Sequence, residues 1–228
     1  MESLEQSQPP MNDILMNRVK PRWAWQAWFS ALMFIFMYLP IVMMGLYSFN
    51  EAPNSAQWTG FTFKWYAKFF QDRRILSALG DSLTVAGVAV VIAAVLGTLM
   101  SVGMARYQFP GKKIYQNITY LPLIIPDIAI AVSTLVFLTA LWIPLSLGTI
   151  IAAHVVFCIS YVALVVSTRI SSLNGHLEEA ALDLGATPFQ AFILVLLPEL
   201  LPAILSGCLL AFVLSMDDFL IASFTAGG

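Results

Sequence analysis

Three aspartates stand inside or at the edges of long apolar runs: Asp127, Asp217 and Asp218. A carboxylate at the centre of a membrane helix costs about 2.5–3.5 kcal/mol on insertion scales, so each implies a purpose or a partner. One purpose is to replace the water around a cation; the alternative is an ion pair or hydrogen bond that fixes helix packing. Asp127 follows Pro126, a place where freed carbonyls and a side chain can meet a cation together. Asp217 and Asp218 are adjacent, about 100° apart on a helix, so the two are not expected to face one path together. Asp218 shares a face with Gly207, Ala211, Ser215 and Ala222, whereas Asp217 lies beside Leu210, Val213 and Leu214. Tyr161 and His154 are further polar candidates in the preceding apolar run.

Other chemistries have no matching pattern. The chain has no Gly-x-x-x-x-Gly-Lys-Ser/Thr phosphate loop, no His-x-x-x-His spacing around His154 or His176, and no serine in a Gly-x-Ser-x-Gly elbow. It is expected to carry no catalytic residue, and any ATP must be hydrolysed by another chain. Cys158 and Cys208 both lie in apolar runs without a Cys-x-x-Cys pair, which reads as packing.

The elements that position these residues follow from composition. With 59% hydrophobic and 11% charged residues and a mean hydropathy of +0.82, most of the chain has lipid as its solvent. A net charge of −2 argues against nucleic acid. Five runs have the length of a membrane crossing: Trp25–Tyr47 and residues 82–105, 118–141, 148–168 and 200–223. Backbone groups in lipid must bond internally and no alternating barrel pattern is present, so the expected fold is an all-α integral membrane protein with five transmembrane helices. Pro122 and Pro126 invite a break in the third helix, and Pro202 is expected to begin the fifth.

Residues 1–24 are polar, with Arg18, Lys20 and Arg22 just before a long run that lacks a cleavage site, so a cytoplasmic tail and a retained anchor are expected. This places seven of the eleven basic residues inside and leaves Lys64, Lys68, Arg73 and Arg74 in an outer segment, 48–81. That segment mixes charges with Trp58, Phe61, Phe63, Trp65, Tyr66, Phe69 and Phe70, which suits a helix lying at headgroup level.

The inner segment, 170–199, has the most specific local pattern. Leu177, Ala180, Ala181 and Leu184 fall at i, i+3, i+4 and i+7 and form an apolar stripe with small residues at its centre. Asn174 is placed to cap this helix, Glu178 and Glu179 favour its positive end, and Gly185 ends it. Thr187-Pro188-Phe189-Gln190 then reads as a capping box opening a second short helix. Alanine lets backbones approach closely, so the stripe can seat in a partner's groove or pack beneath the chain's own helices.

Glu179-Ala180-Ala181, then Gly185, then Val195-x-Leu197-Pro198 resembles the coupling motif of ABC importer permeases, with valine where isoleucine is usual. Ser48-Phe49-Asn50, the stretch from Trp58 to Tyr66, Ile125-Pro126-Asp127-Ile128 and the stretch from Leu214 to Phe224 are similar to the spermidine/putrescine branch. The resemblance implies a permease domain over 25–228 in a bacterial inner membrane, with Leu177, Glu179, Ala180, Ala181, Leu184, Gly185, Val195, Leu197 and Pro198 coupling it to an ATPase. It also implies a sister permease, a cytoplasmic ABC ATPase dimer that uses ATP and Mg, a periplasmic polyamine-binding protein, and Asp127, Asp217, Asp218 and Tyr161 along the substrate path. The family core has six helices, so a further helix is expected beyond Gly228.

The competing expectation is a channel or carrier for a small cation driven by an ion gradient, with the acids as its sites. A carrier of that kind has no need of an ATPase dock, so the inner helix pair discriminates the two.

Overall fold

The structure, a computed structural model, describes residues 24–53, 57–173 and 175–226. The expected N-terminal tail through residue 23, and Asn174, lie outside these. Among the described residues every extended element is helical; the one bridge pairs Asn50 with Phe61. The chain divides into two compact units, Met1–Arg73 and Arg74–Gly228.

In the first unit, α1 (Ala24–Tyr47) is the long apolar helix expected from the sequence, with Pro40 inside it. The following segment is organised by Asn50, which is buried; its side chain donates to the Gln57 carbonyl at 2.7 Å and accepts from the Thr59 N–H at 2.9 Å. Trp65 on α2 (Lys64–Gln71) donates to the Asn50 carbonyl at 2.9 Å. Lys64 and Lys68 both stand over the Trp65 ring, while Phe49 stacks on Phe61 and Tyr66. The amphipathic helix expected for the outer segment is therefore only α2; residues 73–81 belong to the next long helix.

The second unit is built around one central helix. It comprises α3 (Arg73–Arg106, whose first residue closes the first unit), α4 (Lys112–Tyr120), α5 (Asp127–Ala140), α6 (Leu147–Ser172), α7 (His176–Asp183), α8 (Pro188–Ala191), α9 (Leu197–Asp217) and α10 (Leu220–Thr225). The helix α6 is at the centre, and glycines let its neighbours approach. A Cβ on Gly97 of α3 would stand 3.1 Å from Val162, and one on Gly207 of α9 would stand 3.2 Å from the Val162 Cα. Ser101 of α3 donates to the Ala163 carbonyl at 3.0 Å. The core between these helices is rich in small residues, with Ala89, Ala93, Cys158 and Ala211 fully buried, as expected where close packing rather than water exclusion drives association. Cys158 is buried and Cys208 partly buried, and both are free thiols.

Among the described residues, four helical stretches are long and apolar enough to cross a membrane: Trp25–Tyr47, Arg73–Arg106, Leu147–Ser172 and Pro188–Asp217. The third expected crossing is broken. Lys112–Leu123 and Asp127–Ala140 meet at 107°, because Pro122 and Pro126 lack the N–H groups that would return to carbonyls one turn back. The expectation for Pro202 is corrected: it sits inside α9 rather than starting it. Pro198 acts instead. Its ring would strike the carbonyl four residues back, and the helix widens into a π turn over Phe192–Leu196, with the Leu197 N–H bonding Phe192. The fifth run is also interrupted at its far end, where Asp218 and Phe219 separate α9 from α10.

Candidate functional site

Both helix breaks open on one cavity. Its volume is about 210 Å3, and its walls include Pro122 and Asp127 from the first break, Phe157 and Tyr161 from α6, and Asp217 and Asp218 from the second. All four residues expected along a substrate path are thus brought together. The expectation that adjacent aspartates cannot share a path is overturned. The helix ends at Asp217, and Asp218 adopts an extended backbone (φ −76°, ψ 108°), so the angular step of a continuous helix no longer separates them.

The three carboxylates are held differently. Asp127 and Asp217 are exposed on the cavity side of the chain, whereas the Asp218 side chain is 11% exposed. One Asp218 oxygen accepts from the Ile221 N–H at 3.1 Å in the first turn of α10. Its other oxygen faces His154 Nε2 at 3.5 Å, and neither atom has a hydrogen-bond partner among the described residues. His154, 2% exposed, shares a 2.7 Å hydrogen bond through Nδ1 with the Ser215 hydroxyl. The small face of α9 seen in the sequence therefore packs on α6, with Gly207, Ala211 and Ser215 all buried. Sequence gave His154 a minor place and Ser215 none beyond that face; their pairing spans 61 residues and has no local signal.

At the other end of α6 and α9, the segment expected to couple to a partner forms two short helices. Gly185 has φ +90°, and its N–H bonds the Leu182 carbonyl while the Ala186 N–H bonds Ala181. These two bonds make a Schellman turn, which needs glycine at this φ. Thr187 and Gln190 form the reciprocal capping box expected of them. Gly175 occupies the N-cap of α7 without a side-chain bond.

The apolar stripe splits into two pairs. Leu177, itself half exposed, lines a cavity of about 180 Å3 shared with α3 and α6, and Ala181 is partly buried. Ala180 and Leu184 are exposed, Leu184 at 90%, next to Phe189 at 73%. Glu179 is exposed and Glu178 turns inward to an ion pair with Arg106, which sequence reasoning did not foresee. Val195 lies in the π turn and lines the cavity; Leu197 is partly buried and Pro198 exposed.

The comparisons with known proteins agree with one another. Residues 93–228 match the family described as binding-protein-dependent transport system inner membrane component. The chain is 42% identical over 211 residues to the putrescine transport system permease protein PotI of Escherichia coli strain K12, an alignment covering 89% of this chain and 75% of that protein. It is 34% identical over 199 residues to the spermidine/putrescine transport system permease protein PotC of the same strain, covering 87% and 75%. Its fold is similar to that in the crystal structure of a bacterial ABC transporter involved in the import of the acidic polysaccharide alginate, with a TM-score of 0.66 and 19% identity over 94% of this chain and 84% of that one. The chain thus belongs to the family of binding-protein-dependent transport system inner membrane components.

Proposed function

We propose that this permease subunit lines the inner-membrane path of an ATP-driven polyamine importer, with putrescine or spermidine as the substrate class. The observation that carries the reading is the meeting of Asp127, Asp217 and Asp218 at one cavity between two broken helices. A polyamine is an apolar chain bearing ammonium groups, and an apolar path offers nothing to replace their hydration. A unit charge pair 4 Å apart is worth about 4 kcal/mol at an effective dielectric of about 20. That is enough to offset the roughly 2.5–3.5 kcal/mol insertion cost of one aspartate. The rings of Phe157, Tyr161 and Phe219 at the same cavity can cover the methylenes or face an ammonium. The substrates for which the relatives PotI and PotC are named, putrescine and spermidine, support the same class.

In this reading the segment 176–190 faces the cytoplasm and docks a separate ABC ATPase through Ala180, Leu184 and Phe189. A sister permease completes the path, and a periplasmic binding protein delivers the substrate. The family does not favour a gradient-driven carrier. Uptake of labelled putrescine and spermidine, in cells supplying the partner subunits, tests the substrate assignment. Asp127→Asn and Asp218→Asn keep shape and remove charge, and each should lower uptake strongly with assembly intact. Normal uptake in both would remove the substrate role. Orientation has its own test: a cysteine replacing Asp183 should react with an impermeant reagent only from the inner face, and labelling from outside would reverse the topology.

A further inference from the structure

The neighbouring glutamates Glu178 and Glu179 divide between two surfaces. Glu179 is 73% exposed on the outer side of α7, and Glu178 reaches back to Arg106, the last residue of α3. We propose that the Arg106–Glu178 ion pair is the tie by which α7 moves α3 when a docked ATPase shifts α7, so that Arg106 and Glu178 are positioning residues for energy coupling. The proposal rests on the reading of α7–α8 as the ATPase dock.

Three observations carry it. First, the pair joins two helix ends in the favourable sense: the cation closes α3 and the anion lies in the first turn of α7, each opposite the pole that attracts it. Second, it is more shielded than the ion pair Arg169–Glu199. Its side chains are 27% and 24% exposed, against 40% and 46% for Arg169–Glu199. It forms one wall of the 180 Å3 cavity, whose other walls include the apolar Val102, Ile170 and Leu196. Shielding of this kind strengthens attraction that water would screen. Third, α7 also rests on the π turn and α8, an apolar contact beside a cavity, which can slide or compress. The ion pair is the contact that pulls. Arg106 lies on the same helix as Gly97 and Ser101, which pack on the centre of α6 at Val162 and Ala163. A pull on Arg106 therefore reaches the helix that also bears Phe157 and Tyr161 at the acidic cavity.

The test uses the assembled transporter with Glu178→Gln, Arg106→Gln, and the charge swap Arg106→Glu/Glu178→Arg. ATPase retention on purification, basal ATPase activity and polyamine-stimulated ATPase activity are measured for each. Each single neutralisation should retain the ATPase and its basal rate while stimulation falls about fivefold or more, the scale of a typical coupling between sites. The swap should recover most of the stimulation. Unchanged stimulation in both single variants, or a swap no better than either, overturns the tie. Loss of the ATPase in Glu178→Gln also overturns it, since Glu178 would then belong to the dock itself. Leu184→Lys, run alongside, reports on the dock: an ATPase that stays bound and stimulated there refutes the docking reading and the tie with it.

Discussion

The acidic cavity and the α7–α8 segment break the usual rule of burial in opposite directions. One holds charge where lipid is the solvent; the other holds Leu184 and Phe189 in the open at 90% and 73% exposure. Each arrangement is costly alone: about 2.5–3.5 kcal/mol per aspartate at a helix centre, and about 1.5–3 kcal/mol forgone per large apolar side chain left exposed. In the proposed reading both costs are offset by an occupant of opposite character, a cation in the first case and an apolar groove in the second. The regions also differ in construction. The α7–α8 segment is contiguous in sequence and shaped by local turns and caps. The cavity is assembled from helix ends far apart in the chain and depends on long-range packing.

Breaking the dock should have the largest effect. Gly185→Val places a β-branched residue at φ +90°, where even an unbranched L-residue costs roughly 1–2 kcal/mol. The turn should open, and co-purification of the ATPase should fall to background while the chain still inserts. Retention of the ATPase at wild-type levels would show that the turn is not needed. Gly207→Leu strikes both regions together, because its Cβ meets the backbone of Val162 on the central helix. Overpacking of this kind costs about 1–3 kcal/mol, so thermal stability of the purified complex and uptake should decline in parallel. A normal melting temperature would mean that α6 and α9 are less closely fitted than described.

His154→Leu sharpens the comparison with the smallest effect on assembly. It leaves the Ser215 hydroxyl without its buried histidine partner, and a buried group deprived of its partner costs about 1–3 kcal/mol. Polyamine uptake should fall with the ATPase still bound, whereas uptake equal to wild type would make the histidine a packing residue only.

The contrast in construction also explains what could be seen in the sequence. Gly185, the Thr187–Gln190 capping box and the apolar runs obey rules that span a few residues, and the structure carries them. Which half of the stripe is more exposed was not visible: Leu177/Ala181 and Ala180/Leu184 are equally apolar, and Leu177 differs in lining the cavity beside α3 and α6 while half exposed. The breaks at Pro122 and Pro126 were legible because proline removes a donor wherever it stands. The end of α9 at Asp217 was not, since no proline or glycine marks it and the Asp218 carboxylate accepts from Ile221 in α10. Pro202 misled because a proline inside a long apolar helix looks the same in sequence as one in its first turn, and here Pro198 holds the first turn.

Polyamine-stimulated ATPase activity of the assembled transporter carrying Asp218→Asn tests the central claim most directly, because it separates recognition in the cavity from attachment at the dock. The ATPase should remain bound with its basal rate unchanged, and stimulation should fall about tenfold or more, the equivalent of one lost contact worth about 1.4 kcal/mol. Stimulation at the wild-type level, in a variant that assembles normally, would contradict a cation path through this cavity.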